Sequence, residues 1–166
     1  RLLRKMENHV ILCGYGRVGQ EISNQIKTQN IPIIVVESDE DRKKIAEENG
    51  LEVLCADATL DETLKLAGLE KCKSLVVTLP NDAANLYVVL SAKGIRSSIR
   101  VIARAGTEEA ASKLRLAGAS IVVSPYIAAG RAMASMALRP IAIDFLDLLA
   151  GSECEIEEFE LSNDIS

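Results

Sequence analysis

Residues 10–19 read Val-Ile-Leu-Cys-Gly-Tyr-Gly-Arg-Val-Gly, an apolar run entering Gly-x-Gly-x-x-Gly, and Glu37 closes a second apolar run eighteen residues after the last glycine. These residue types at this spacing suit the diphosphate and ribose of an adenosine nucleotide. Gly14 allows a tight strand-to-helix turn, Gly16 lets backbone approach a diphosphate, and Gly19 lets the helix pack closely on the strand. The helix opening at Arg17 and Val18 turns free N–H groups and a positive dipole end toward an anion. Glu37, at the tip of the second strand, can accept both hydroxyls of a ribose. Ser38 follows it and no arginine stands beside it, which favours NAD-type or adenine nucleotides over NADP, although Arg42 and Lys43 come soon after.

Further candidates stand where later apolar runs end: Asp57 and Ala58, Thr78 and Leu79, and Arg104, with Asn85 in the helix after Thr78. Residues at the carboxyl ends of parallel strands line the ligand crevice. Arg17 can reach a phosphate of its own site or a neighbour's with a forked guanidinium, the alternative being a solvated helix start. Asp57 and Asn85 each fit either a ligand contact or a structural role, and Asn81 reads as a helix cap. Catalytic groups are scarce. His9 is the only histidine, which removes His-based metal sites and argues against Ser-His-Asp or Cys-His nucleophiles. Tyr15, Tyr87 and Tyr126 are the only phenols, and none forms Tyr-x-x-x-Lys. A nucleotide fold without a proton donor or substrate region points to a sensor rather than an enzyme.

These residues must be held by alternating strands and helices. Apolar runs at 10–13, 33–37, 52–56, 74–79, 99–104 and 121–123 read as strands. Between them, helical patterns cover 17–29 (Val18, Ile22 and Ile26 on one face), 39–49, a short stretch carrying Leu60, Leu64 and Ala67, 81–93 (Leu86, Val89 and Leu90 inward) and 108–117. Gly50, Gly68, Gly94 and Gly118 read as helix stops. Such strands, each followed by a helix, imply an α/β fold: a Rossmann-like, doubly wound, parallel six-stranded sheet in order 3-2-1-4-5-6. Its strand-one and strand-four ends meet at the switch point where ligands bind. Two further apolar helices, 126–138 and 141–150, have no evident place on a sheet covered on both faces. They are read as a subunit contact, the alternative being one more core helix.

The expected organisation is thus a linker at 1–9, a nucleotide-binding domain at 10–125, interface helices at 126–151, and at 152–166 the start of a subdomain that continues in a longer protein. The 166-residue chain is 48% hydrophobic, yet no apolar run approaches a membrane span, and residues 1–9 do not read as a signal peptide. A net charge of −5 argues against nucleic acid. Cys13, Cys55, Cys72 and Cys154 form no Cys-x-x-Cys pair and read as free thiols in a reducing cytoplasm.

Between the glycine turn and Pro125 the chain resembles an RCK domain, the regulator of K+ conductance, also called the Trk N-terminal or KTN domain. The resemblance rests on Gly14-Tyr15-Gly16-Arg17-Val18-Gly19, Cys55-Ala56-Asp57-Ala58-Thr59, Ala67-Gly68-Leu69, Asn81-Asp82-Ala83-Ala84-Asn85, and Leu116-Ala117-Gly118-Ala119 leading to Val123-Ser124-Pro125. It implies NAD(H) or ADP/ATP as a regulatory ligand, held at Gly14, Gly16, Arg17, Glu37, Asp57, Thr78 and Arg104. It further implies homodimers through a C-terminal crossover helix pair at residues 126–150, an octameric ring, and a fused or associated K+-channel pore at the cytoplasmic face of the membrane. Calcium-gated members carry carboxylates where this chain has Thr78, Arg104 and Gly106, so a divalent co-ligand has no residues assigned to it. The basic start, Arg1-Leu2-Leu3-Arg4-Lys5, resembles the end of a pore-to-ring linker. Two alternatives are a separate Trk/Ktr-type regulatory subunit and the cofactor domain of an NAD-dependent oxidoreductase.

Overall fold

The computed structural model describes residues 6–139 and Leu149. Residues 1–5 of the expected linker at 1–9, the expected second interface helix at 141–150 apart from Leu149, and the expected subdomain start at 152–166 lie outside the described residues. In chain order the elements are β1 (Val10–Cys13), α1 (Arg17–Lys27), β2 (Ile33–Val36), α2 (Glu40–Glu48), β3 (Glu52–Leu54) and α3 (Asp61–Leu66). They continue as β4 (Ser74–Val77), α4 (Asp82–Ile95), β5 (Val101–Arg104), α5 (Glu108–Leu116), β6 (Ile121–Val123) and α6 (Pro125–Leu138). The chain divides into two units after Pro125.

All six strands are parallel, in the order β3-β2-β1-β4-β5-β6 expected from the sequence. Adjacent residues of β1 face opposite sides, as the period of two requires. Val10 and Leu12 pack with Ile33, Val35, Ile22, Ile26 and Ala46, on the side of α1 and α2. Ile11 and Cys13 pack with Leu64, Val88, Val89, Ala111 and Leu114, on the side of α3, α4 and α5. Right-handed crossovers produce this division, because the chain winds outward to β3 and then back through β4 to β6.

That winding corrects one expectation. On the α1 side Val76 of β4 is buried, but α1 to α5 leave β5 and β6 partly open. An apolar groove of ≈ 390 Å³ is lined there by Val18, Ile22, Val76, Ile102, Val123 and others. Val123 and Ile121 remain 44% and 43% exposed.

Helix ends depart from expectation where tertiary contacts decide them. Gly94 does not stop α4, which runs on to Ile95; Arg96, its C-cap, is anchored by guanidinium bonds to the carbonyls of Leu69 (3.0 Å) and Cys72 (2.9 Å). Leu90 is exposed rather than inward, and the inward face carries Asn85, Val88, Val89 and Ala92. Leu60 is exposed too, as the residue that precedes α3. Asn81 is a cap, as read, its side chain accepting from Ala84 N–H at 3.0 Å.

Candidate functional site

The glycine turn sits where β1 and β4 end side by side. Gly14 has φ +98°, and a Cβ on it would stand 2.8 Å from Thr78 O, so both conformation and space demand glycine. A Cβ on Gly19 would collide with Gly14 O, which lets α1 start hard against the turn. Gly16 faces open space, and no side chain caps the helix it precedes. An exposed, uncapped helix start after a turn of this shape is a cradle for phosphate oxygens.

Glu37 is buried, yet both carboxylate oxygens are held by backbone. Oε1 accepts from Tyr15 N–H at 2.8 Å and Oε2 from Asp39 N–H at 3.0 Å. Its own N–H donates to Leu54 O at 3.1 Å. Each oxygen keeps acceptor capacity for a hydroxyl, so the carboxylate is fixed in place without being used up.

Tyr15 is the residue the sequence did not flag. Its ring is wholly buried in the α1-side core, and its hydroxyl accepts from Asn49 Nδ2 at 2.8 Å and lies 3.3 Å from Ser23 Oγ. The middle of a glycine turn reads as solvent-facing by local pattern, and nothing in the spacing announces an aromatic pointing inward. Here that aromatic pins the turn to α1 and to the end of α2, and its N–H aims Glu37.

The other candidates fall into two groups. Arg17 and Ser38 are exposed beside the turn and Glu37, and Val18 is half-buried on the wall of the apolar groove. Asp57 is exposed past β3, with Oδ1 accepting from the Thr59 hydroxyl (2.7 Å) and Thr59 N–H (2.9 Å), which together hold its pKa below the usual value. The second group shapes the crevice instead of facing it. Ala58 is buried in the core, and the Thr78 hydroxyl turns back to Cys13 O at 3.2 Å. Asn85 is fully buried: Oδ1 accepts from Leu79 N–H at 2.9 Å, and Nδ2 donates to Leu79 O at 3.0 Å and Arg104 O at 3.1 Å. Its amide therefore locks the ends of β4 and β5, and Arg104, half-buried, borders the groove.

Thiol chemistry has little support here. Burial, then the nearby Cys72 and Glu37, pushes the Cys13 thiol up to about 12, and Cys55 is also raised, by desolvation first and then by Glu40. Among the described residues no three His, Cys, Asp or Glu side chains gather as a metal site.

Residues 10–125 match the TrkA-N domain family. Potassium channel protein 1 of Methanocaldococcus jannaschii is 38% identical over 157 residues, 93% of this chain and 47% of that protein. The chain thus spans about half the length of the curated relatives it matches. Among solved structures, the TrkA-N domain of the inner membrane protein ybaL from Escherichia coli superposes with a TM-score of 0.76 at 31% identity, covering 80% of this chain and 98% of that one. GsuK bound to ADP superposes with a TM-score of 0.69 at 29% identity, over 78% of this chain and 34% of that one. With its strand order, glycine turn and strand-two carboxylate in place, the chain belongs to the TrkA-N family of RCK/KTN domains.

Proposed function

We propose that this chain is the ligand-sensing domain of a K+ channel, a receptor for an adenine nucleotide or NAD(H) and not an enzyme. The observation that carries the reading is Glu37, a buried carboxylate aimed by two backbone N–H groups beside an uncapped glycine turn. That arrangement suits the ribose and diphosphate of such a ligand. The channel relatives, about twice as long as this chain, support a pore fused to such a domain, and the reading puts the domain at the cytoplasmic face of the membrane. Ligand would act on the pore only through its different affinity for two states of the assembly.

Self-association belongs to the same reading. Met133, Met136 and Leu138 of α6 are 70%, 61% and 82% exposed, and the groove on the α1 side lined by Ile102 and Val123 is apolar. Exposed apolar surfaces favour a homodimer through residues 126–150, and the resemblance to RCK domains implies its assembly into an octameric ring. A regulatory nucleotide-binding subunit of a K+ transporter is the second reading, favoured by the likeness to YbaL, a putative cation/proton antiporter. Isothermal titration with ATP, ADP, NAD and NADH tests the receptor claim: at least one should bind with one site per chain, and none binding would refute it.

A further inference from the structure

The segment that enters the domain ahead of β1 is fastened at three points. Asn8 N–H donates to Lys71 O at 2.9 Å, and His9 O accepts from Lys73 N–H at 2.7 Å. The His9 ring is fully buried, with Nε2 2.8 Å from Ala67 O at the end of α3. A carbonyl only accepts, so Nε2 carries the proton. Gly68 seats the ring: its φ is +85°, and a Cβ on it would stand 2.9 Å from His9 Cε1. His9 Nδ1, meanwhile, is the one buried side-chain nitrogen or oxygen among the described residues without a hydrogen-bond partner. An apolar ring would fill the space without stranding an acceptor. What histidine adds is a single directed bond to α3.

The opposite end of α3 belongs to the crevice. Asp57 and Thr59 form the turn that leads into it, and Leu60 N–H donates to Asp57 O at 3.3 Å. Ala58, Thr63, Leu64 and Ala67 are buried along its length, so the helix is gripped by the core at both ends. At 1.5 Å per residue its six residues span about 9 Å.

We propose that α3 is a strut joining the nucleotide crevice to the segment ahead of β1, with the Asp57–Thr59 turn as its ligand end and the His9–Ala67 bond as its output end. The proposal rests on the receptor reading for its ligand and on the strut alone for its mechanics. Ordering the turn holds α3 and tightens the clamp on Asn8 and His9; by linkage, loosening the clamp weakens the ligand.

Residue-resolved hydrogen exchange on the 166-residue chain tests this at the Asn8 and Lys73 amides, with Val10, bonded to Pro32 O, as the internal control. ADP should slow both amides by about fivefold or more, the low end of coupling between linked sites, and leave Val10 unchanged. The slowing should vanish in His9→Phe, which fills the space without the bond, and return in His9→Gln, which restores a donor. Without ligand, Asp57→Ala should speed exchange at Lys73. Unchanged Lys73 exchange in Asp57→Ala, or slowing retained in His9→Phe, overturns the strut. If ADP does not bind the parent chain, the receptor reading falls, and the ligand-free comparison still decides the strut.

Discussion

Replacing Glu37 by glutamine separates the carboxylate's two duties by one atom. In the parent, Oε1 takes the Tyr15 N–H at 2.8 Å and Oε2 the Asp39 N–H at 3.0 Å, in a buried position. Glutamine keeps the shape but offers one acceptor and two donors, so one backbone N–H is left facing an NH2 group. A buried donor left unsatisfied costs about 1–3 kcal/mol of stability. Ligand affinity falls for a second reason: the ribose hydroxyls lose a charged acceptor, and such bonds are worth about 1.5–3 kcal/mol. Partial compensation by the amide oxygen leaves an expected loss of about 1–3 kcal/mol, or roughly 5- to 150-fold in the ADP dissociation constant. Urea unfolding reads the first effect and isothermal titration the second. Unchanged ADP affinity in a folded Glu37→Gln protein would refute the assignment of this carboxylate to the ribose.

Gly19→Ala places a methyl group against Gly14 O and should destabilise the fold by about 1–3 kcal/mol in urea unfolding, the usual scale of overpacking, while weakening ADP in titration. The Asp57 carboxylate is depressed by Thr59, so the order it gives the turn is present above its unfolded value and is lost as pH falls through its lower folded value. The Thr59 amide followed by NMR should therefore titrate with a midpoint below the ordinary Asp value of about 3.9; a midpoint at or above that value would contradict the hydrogen-bonded turn. Solvent exposure at Asp57 keeps the energy of this interaction small, so the global unfolding midpoint should barely move. Met136→Asp should shift the light-scattering mass toward the monomer if α6 is the subunit contact; a parent chain that is monomeric at high concentration would count against that contact.

The strand order was legible because each apolar run is followed by a helical period and the first step carries the glycine turn. Gly14, Gly16, Gly19 and Glu37 were legible because covalent spacing alone puts them at adjacent strand ends. What escaped depends on partners distant in sequence. Asn85 looks like a site residue, polar and in a helix's first turn at the switch point, until Arg104 O, nineteen residues away, claims its amide. Tyr15 points inward because Asn49, thirty-four residues away, offers its hydroxyl a donor. Leu90 shares the apolar period of α4 but falls on its outer side, a choice made by where α4 meets its neighbours. The groove beside β5 and β6 on the α1 side follows from crossover handedness, and counting strands and helices does not reveal it.

The central claim is that the crevice at the ends of β1 and β2 receives the nucleotide, and an amide NMR titration with ADP locates binding residue by residue. The largest shifts should fall at Gly16, Arg17, Val18 and Ser38, with smaller ones at Asp57 and Thr59. Saturating ADP that leaves those amides unmoved, or moves instead the amides of α4 and α5, would contradict it.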